Sequence, residues 1–417
     1  MGFDRRKTIG FIDVASGKVC VMLMSIDKDS NFSLIGSGEV ESFGYKGGKI
    51  LDFTAFSKSI NQALEMAEKE AKENISDVVI SLSDFKYKSY FLPSKIGFSF
   101  ERKITAKDIK NVTSLIPLQQ NIDVDKEALV HIIPMEFIID NDKIVDNPEG
   151  EIAKNLTVHY HVITVDARMY SDLISVFKSL NLNVKRVVAG GYASALAVLI
   201  EDDKKVGSLV LDIGKSTMSA AIFMDDKLVY NYSLPLGGDA ITNSLSKQIN
   251  VRVAEAERLK IKYGAKAPVS LDFSDYINLF MIGENGENDE QEVLKSDFLT
   301  VSNNITKGFF SILKKCLDDR RVLSCVHRVV ITGGGSKLLG LKDIVKDIFN
   351  CPVRIAKPII QSELSEKFNE PEYSTLLGLF AFYKTKVSGD YVFETSDDGD
   401  GKNFWNKFMK FWMENFG

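Results

Sequence analysis

Cysteine and tryptophan are scarce in this chain of 417 residues, which contains four cysteines and two tryptophans. Cys20, Cys316, Cys325 and Cys351 have no CxxC spacing, so the sequence predicts buried thiols in a reducing compartment rather than a disulfide framework or a zinc site. Positive charge is not in excess either, because 52 Lys and Arg stand against 57 Asp and Glu. A net charge of −5 lacks the basic character of duplex-binding proteins, and we expect no nucleic-acid partner.

Long apolar runs are also missing. The longest uncharged stretch covers 187–200 and is interrupted by Gly190 and Gly191, whereas about 20 residues are needed to cross a bilayer. The N-terminus has no apolar core of a signal peptide. We therefore expect a cytoplasmic chain without a membrane-spanning helix. A composition of 45% hydrophobic and 26% charged residues is typical of a globular protein of two or three domains.

A long-range internal repeat organises the sequence. IGFIDVASGKVCVML in the first half matches LVLDIGKSTMSAAIF in the second, and each places one aspartate, Asp13 or Asp212, at the end of an apolar strand before small residues. Three predicted strands followed by a helix surround each motif. The two aspartates are 199 residues apart, too far for a solenoid repeat. The sequence therefore predicts an α/β fold with a duplicated domain.

Two segments interrupt the duplication. Residues 84–165 are expected to form an inserted α+β module, and 241–300 to be mostly helical with a solvated acidic loop at 284–292. A helix over 297–318 then precedes a strand, a triple glycine and a helix that begins at Ser336. The sequence predicts a closing helix over 374–384.

The two aspartate-containing turns suggest a nucleotide clamp. A tight turn of small residues presents successive backbone N–H groups to an anion, and the aspartate before it can hold Mg²⁺ directly or through water. Asp13 and Asp212 are therefore the candidate metal-binding residues. ITGGGSKLLG (331–340) adds glycines that let the backbone approach a base or phosphate. It is not the GxGxxG motif of dinucleotide-binding folds.

DVASGK, DIGKST, PLGGD, AERLK and TGGGS occur in the order of the motifs of the actin-like ATPase superfamily. Within it, the chain closely resembles the FtsA family of bacterial cell-division actins over essentially its whole length, most specifically at HIIPMEFIIDN, PLGGDAITNSLS and AERLKIKYG. The resemblance implies a duplicated actin-like ATPase fold with an inserted α+β subdomain and a C-terminal amphipathic helix. It implies subdomain 1A at 1–83, 166–205 and 359–386, 1C at 84–165, 2A at 206–240 and 301–358, 2B at 241–300, an acidic flexible linker at 387–401 and a membrane-targeting helix at 402–417.

The same resemblance implies ATP and Mg²⁺ as ligands and assigns the nucleotide-binding residues. They are Asp13, Ser16, Gly17 and Lys18 in the first phosphate loop, Asp212, Gly214, Lys215, Ser216 and Thr217 in the second, Gly237 and Gly238 near the nucleotide, Glu257 and Lys260 at the ribose, and Gly333, Gly334, Gly335 and Ser336 at the adenine. The alternative for Glu257 and Lys260 is a solvated pair on a helix face.

Two departures from the family pattern bear on activity. The second loop reads DIGKSTMS where the family commonly has DIGGGTTD, so Lys215 either pairs with phosphate or points to solvent. Gly190 and Gly191 occupy the place where many superfamily members have a Glu or Gln that positions the attacking water. We expect at most slow ATP hydrolysis.

The resemblance also implies partners and a location, namely the cytoplasmic face of the cell membrane at the division site. The implied partners are the C-terminal tail of FtsZ through 241–300, other division proteins through 84–165, further copies of the chain in an actin-like protofilament, and a lipid surface. The lipid-binding residues are predicted from helical spacing. They are Phe404, Trp405, Phe408, Met409, Phe411, Trp412 and Phe416 on an apolar face, with Lys402, Lys407 and Lys410 for anionic headgroups.

Other functions within the superfamily fit the sequence less well. A sugar kinase or polyphosphatase needs a catalytic base and a polar substrate pocket, and the sequence has no motif for either. A DnaK-type chaperone needs a substrate-binding domain after the ATPase, and the sequence given continues too briefly after Lys384 to contain one. The terminal amphipathic segment argues against a PilM-like pilus protein. The alternative to a membrane-binding role for this segment is a terminal helix docked on the core.

Overall fold

The computed structural model describes residues 7–82, 87–265, 275–282, 288–359, 364 and 366–387. The first half of the chain and its insertion contain β1 (Lys7–Val14), β2 (Lys18–Ile26), β3 (Phe32–Glu41), β4 (Tyr45–Lys46), β5 (Lys49–Ile50), α1 (Phe53–Ala71), β6 (Asp77–Leu82), β7 (Lys88–Lys103), α2 (Ala106–Ser114), α3 (Leu118–Asn121), β8 (Glu127–Ile139), β9 (Lys143–Val145), β10 (Ile152–Asp166), α4 (Ala167–Ser179), β11 (Asn183–Ala189), α5 (Gly190–Val198) and α6 (Glu201–Val206).

The second half repeats the pattern. It contains β12 (Ser208–Ile213), β13 (Met218–Met224), β14 (Lys227–Leu234), α7 (Gly238–Gln248), α8 (Val253–Tyr263), β15 (Tyr276–Ile282), β16 (Asn288–Leu294), α9 (Lys295–Asp318), β17 (Arg328–Thr332), α10 (Leu341–Phe349), β18 (Val353–Ile355) and the closing α11 (Ser374–Val387).

The sheets of the two halves have matching topology. The first has the strand order β11-β6-β1-β2-β3 and the second β14-β13-β12-β17-β18. In each sheet the aspartate-ended strand, β1 or β12, pairs antiparallel with the next strand and parallel with a later one. Both strands are almost fully buried, as expected for sheets covered on both faces. The predicted duplication is therefore confirmed.

Helix α1 covers the outer face of the first sheet. Its N-cap, Asp52, accepts a hydrogen bond from the Ala55 amide at 3.0 Å, and apolar residues at helical spacing face β2 and β3. The contact is close because β3 carries glycine where the helix crosses it. A Cβ at Gly36 would lie 2.2 Å from the Ala67 carbonyl oxygen.

Helices α5 and α11 fill the space between the two sheets. α5 contacts β6 and β11 of the first sheet and β12, β13 and β14 of the second, while α11 contacts β1, β2 and β6. The two helices cross at Gly378, where a Cβ would be 1.9 Å from the Ala193 carbonyl oxygen. Phe380 and Phe382 of α11 are fully buried. These helices therefore set the relative position of the two halves and of the cleft between them.

The insertion has its own sheet, in the order β7-β10-β8-β9, with α2 against it. Its core includes alternate residues of β10, namely Leu156, Val158, Tyr160 and Val162. The α+β character expected for this segment is confirmed. Strand β7, with Phe91 and Phe100 exposed on a sheet edge, was not predicted.

Three local expectations were wrong. The segment 241–300 also contains the β15–β16 hairpin, and much of the supposed acidic loop lies in β16. The hairpin forms because Ile277 and Leu279, two residues apart, are both buried. No α-helix begins at Ser336; Gly334–Lys337 is a 3-10 turn and α10 begins at Leu341.

The third correction concerns the cysteines. Cys20 is buried, but Cys316, Cys325 and Cys351 are only partly buried, and all four are free thiols.

None of the described helices has the length and apolar character required to cross a membrane.

Candidate functional site

The two aspartate-containing turns have the same hydrogen-bonded geometry. In the first hairpin the Ala15 amide donates to the Lys18 carbonyl at 3.2 Å, and in the second the Gly214 amide donates to the Thr217 carbonyl at 2.9 Å. In both cases the donor lies two residues, and the acceptor five residues, after the aspartate. The duplication thus extends to individual backbone contacts.

Asp13 is buried and Asp212 is half-buried, and each carboxylate is held by hydroxyl groups. Asp13 accepts a hydrogen bond from Ser81 at 2.7 Å, and Ser81 in turn accepts from the Val14 amide at 2.9 Å. Asp212 accepts from Ser194 and, at 3.0 Å, from Thr375. Ser194 and Thr375 belong to α5 and α11, so the carboxylate of the second half is held by helices that pack on the first.

Burial governs the titration of both carboxyl groups. It raises the pKa of Asp13 to about 6, where the charge of Asp212 adds to the rise and the Ser81 hydrogen bond opposes it. Burial also raises the pKa of Asp212 against the lowering effect of Ser194 and Thr375. Two buried acidic groups close enough to repel each other favour a bound cation between or beside them.

The two turns lie face to face across the cleft. A Cβ added at Gly17 would lie 3.5 Å from Cδ of Lys215, so the alkyl chain of Lys215 reaches the opposite loop. Lys215 is otherwise exposed. Lys18, by contrast, is engaged: its ammonium pairs with Glu39 at 2.9 Å and lies 3.9 Å from the ring centre of Tyr373.

The triple glycine follows β17, the parallel neighbour of β12, and contacts the second aspartate. A Cβ at Gly333, whose φ is +80°, would be 2.1 Å from Oδ1 of Asp212, and one at Gly335 would be 2.4 Å from Cγ2 of Ile213. Only Gly334 is open, because the nearest atom to its added Cβ is 3.8 Å away, on Glu372. Ser336 is fully buried. Gly333 and Gly335 are thus required by packing, whereas Gly334 leaves space for a ligand.

The segment 235–239 is fixed to the second phosphate loop through its backbone. The Gly238 amide donates to the Gly214 carbonyl at 3.0 Å and the Asp239 amide to the Lys215 carbonyl at 2.7 Å. Gly237 is needed for this approach, since its Cβ would be 2.6 Å from each of these two carbonyl oxygens.

Glu257 and Lys260 lie beside this segment on α8. Lys260 is buried and donates to the Gly238 carbonyl at 3.1 Å and to Thr242 at 2.8 Å, while pairing with Glu257 at 2.7 Å. Glu257 is partly exposed and also accepts from Thr242. The pair is therefore not a solvated surface contact, because Lys260 connects α8 to the start of α7.

Several residues that complete the site were not predicted from the sequence. Ser81 could have been recognised as a polar residue at the end of β6, since the ends of parallel strands meet at one sheet edge. Thr375 and Glu39 could not, because only the tertiary fold brings them to the cleft. Lys46, which forms an ion pair with Asp239 at 3.3 Å, was also missed.

The glycines at the start of α5 are closely packed. A Cβ at Gly191 would lie 3.0 Å from Cβ of Ser219 and 3.1 Å from Oδ1 of Asn231. A large side chain at this position is therefore excluded. The described residues contain no group of three or more His, Cys, Asp or Glu placed to hold a metal ion.

Two halves of matching topology with mutually facing phosphate-type turns define the actin-like ATPase fold. The chain is similar to a chain of the PilM–PilN type IV pilus biogenesis complex, with a TM-score of 0.61 and 16% identity over 91% of this chain and 99% of the other. It is also similar to MreB5 of Spiroplasma citri bound to ADP, with a TM-score of 0.55 and 14% identity over 92% and 99%.

Sequence comparisons identify the family within this fold. The chain is 30% identical over 391 residues to cell division protein FtsA of Buchnera aphidicola subsp. Acyrthosiphon pisum (strain APS), covering 91% of each. It is 25% identical over 422 residues to that of Escherichia coli (strain K12), covering 98% of each. Family models match as cell division protein FtsA at 209–378 and as the SHS2 domain inserted in FtsA at 89–164. The chain belongs to the FtsA family of cell division proteins.

The predicted membrane-binding residues, from Lys402 to Phe416, lie outside the described residues, as does the linker beyond Val387.

Proposed function

We propose that the cleft binds Mg-ATP and that the chain, as a division protein of the FtsA family, links an FtsZ polymer to the cytoplasmic face of the cell membrane. The observation that carries the nucleotide proposal is the pair of turns with matching backbone hydrogen bonds after Asp13 and Asp212. Each turn offers backbone N–H groups on one side of the cleft, and each carboxylate is placed to meet a metal ion.

The residues present fit such a ligand. Gly334 leaves open space where a base can approach, and Lys215 lies in the second loop with its chain directed to the first. The carboxyl groups of Asp13 and Asp212 are costly to bury without a cation, which is consistent with Mg²⁺ beside the phosphates. MreB5, which shares the fold, was solved with ADP. A Mg²⁺ ion, when bound, neutralises phosphate charge, and the protein contributes orientation and burial.

The tethering role is supported by the family and by the sequence of the tail. Residues 402–417 combine an apolar aromatic face with three lysines, and 387–401 form an acidic spacer. Partial burial of aromatic side chains together with about 1 kcal/mol per lysine near an anionic leaflet gives reversible binding. Self-association into protofilaments makes the binding firm, because several tails then act on one surface.

The proposal assigns contacts to particular subdomains. The FtsZ tail binds the 241–300 segment, and the 84–165 insertion serves filament contacts and later division proteins. ATP hydrolysis is at most slow, since α5 begins with Gly190 and Gly191 and leaves no carboxylate or amide side chain there.

A co-pelleting experiment with FtsZ and anionic vesicles tests the tether. FtsZ should be recruited to vesicles only when the full chain is present, and more so with Mg-ATP than with ATP and a chelator. Electron microscopy on lipid monolayers should show protofilaments. A sugar kinase would instead give ATP turnover stimulated by sugars without vesicle recruitment.

A further inference from the structure

A short glycine-rich hairpin, formed by β4 and β5, projects toward the mouth of the cleft. Gly44, Gly47 and Gly48 have φ of +74°, +57° and +77°, which permits two tight reversals within a few residues. The base of the hairpin is firmly seated, because Tyr45 is buried and stacks on Phe56 of α1 with ring centres 4.7 Å apart. Its tip therefore has a defined position.

The tip contacts both walls of the cleft. On the first wall, the Gly47 amide donates to Oγ of Ser16, in the first phosphate-type turn, at 2.9 Å. On the second wall, the ammonium of Lys46 pairs with the carboxylate of Asp239 at 3.3 Å. Asp239 lies in the first turn of α7 and also accepts from Ser216 of the second phosphate-type turn at 3.5 Å.

This arrangement connects the two candidate phosphate loops through one hairpin. Lys46 belongs to the first half of the chain and Asp239 to the second, so the ion pair spans the cleft opening. Both groups keep access to water, with 56% of the Lys46 side chain and 26% of the Asp239 side chain exposed. Such a pair can open and close readily, unlike the less exposed hydrogen bonds of Asp212 with α5 and α11.

We propose that Lys46 and Asp239 form a clasp across the cleft that slows the release of a bound nucleoside triphosphate. The proposal rests on nucleotide binding at this cleft. A ligand leaving the cleft must pass between the walls that the ion pair joins. Its phosphates add negative charge beside Ser16 and Ser216, which favours a nearby ammonium and keeps Lys46 in place. Lys46 is thus a positioning residue that acts on ligand exchange.

The size of the effect follows from the exposure of the pair. Exposed ion pairs are weak, so loss of the clasp should increase the dissociation rate about two- to fivefold. Added salt should also increase the dissociation rate of the nucleotide from the parent protein, because mobile ions screen an exposed ion pair. A variant that lacks the pair should lose that part of the salt dependence.

A double-mutant cycle in the full-length protein tests the clasp. Dissociation of fluorescent Mg-ATP, chased by unlabelled ATP, is measured for the parent, Lys46→Gln, Asp239→Asn and the double variant. Each single variant should release nucleotide faster, and the double variant no faster than either, because both changes break one contact. Lys58→Gln, an exposed lysine on the neighbouring α1, is the matched control and should leave the rate unchanged.

A second readout needs no nucleotide. Backbone hydrogen exchange of 42–52 is measured in the ligand-free protein, where Lys46→Gln and Asp239→Asn should both speed exchange at the hairpin. Parent-like release rates in both single variants, or rate increases that multiply in the double variant, overturn the clasp. If the parent binds no ATP, the proposal of nucleotide binding fails. Hydrogen exchange of 42–52 that is unchanged in both variants would then overturn the clasp as well.

Discussion

Asp13 and Asp212 face each other from corresponding positions of the two halves, and each is held by a hydroxyl group from a neighbouring element. Burial raises the pKa of both, and for Asp13 the charge of Asp212 adds to the rise. The ligand-free cleft therefore stores an unfavourable pair of charges at neutral pH.

Asp13→Asn should stabilise the ligand-free protein at neutral pH and weaken Mg-ATP binding. With a folded-state pKa of about 6 against 3.8 in the unfolded chain, Asp13 binds more protons when folded. The free energy of unfolding therefore falls as pH rises from about 4 to about 6. Removing the charge should raise it at pH 7.5 by about 1–3 kcal/mol and leave it unchanged near pH 3. Urea unfolding across this pH range measures the effect.

The control for this prediction is Asp172→Asn, an exposed carboxyl on α4. It should leave the pH profile of the parent intact. A loss of stability at pH 7.5 in Asp13→Asn would mean that the carboxylate is held by favourable contacts that outweigh its burial.

Gly334→Val should strongly weaken ATP binding while leaving the fold intact. The added side chain meets open space in the ligand-free protein, whereas a nucleotide base would have to occupy that space. We expect the dissociation constant to rise at least about tenfold, which corresponds to about 1.4 kcal/mol. Calorimetric titration with Mg-ATP gives the result directly.

Two further variants define what the Gly334 result means. Gly97→Val, also in open space but on β7, should bind ATP like the parent. Gly335→Val should instead lower the thermal stability, because its Cβ meets Ile213, at a cost of about 1–3 kcal/mol. Normal ATP affinity in Gly334→Val would place the base elsewhere.

Lys215→Met should reduce the affinity for ATP several-fold. Methionine retains the apolar chain beside Gly17 but removes the ammonium, so the loss reports the charge alone. Fluorescent nucleotide titration at low and high salt should show a weaker salt dependence in the variant. Lys342→Met on α10 is the control. Equal ATP affinity in the two variants would show that the ammonium of Lys215 points to solvent and does not contact the phosphates.

Trp412→Glu should release the protein from anionic vesicles in flotation while ATP binding persists. On the helix that the sequence predicts, Trp412 lies at the centre of the apolar face, where a carboxylate is costly near lipid. Asn403→Glu carries the same charge change nine residues away, on the opposite face, and should float with the vesicles. Flotation of Trp412→Glu at the parent level would locate the lipid contact outside this tail.

The duplicated strands and the positions of both aspartates could be predicted, because their apolar runs and small-residue turns are local patterns. The run of glycines likewise predicted that the backbone of 333–335 comes close to another group. Only the fold shows that Gly333 and Gly335 are required by packing and that Gly334 is not. The β15–β16 hairpin escaped prediction because its inward residues are few and its second strand is acidic. The contact of Thr375 with Asp212 joins residues 163 positions apart, and no local pattern encodes such a distance.

Helix α11 has contacts of different kinds at its two ends. At its start, Thr375 donates to Asp212 and Ser374 bonds with Thr332 beside the triple glycine. Its end, Val387, leads into the spacer and the proposed lipid-binding tail. Tension on a tail held by the membrane would therefore be borne by the same helix that supports the carboxylate of Asp212. In such a tether, mechanical load from a constricting ring and the retention of nucleotide would share one element of structure.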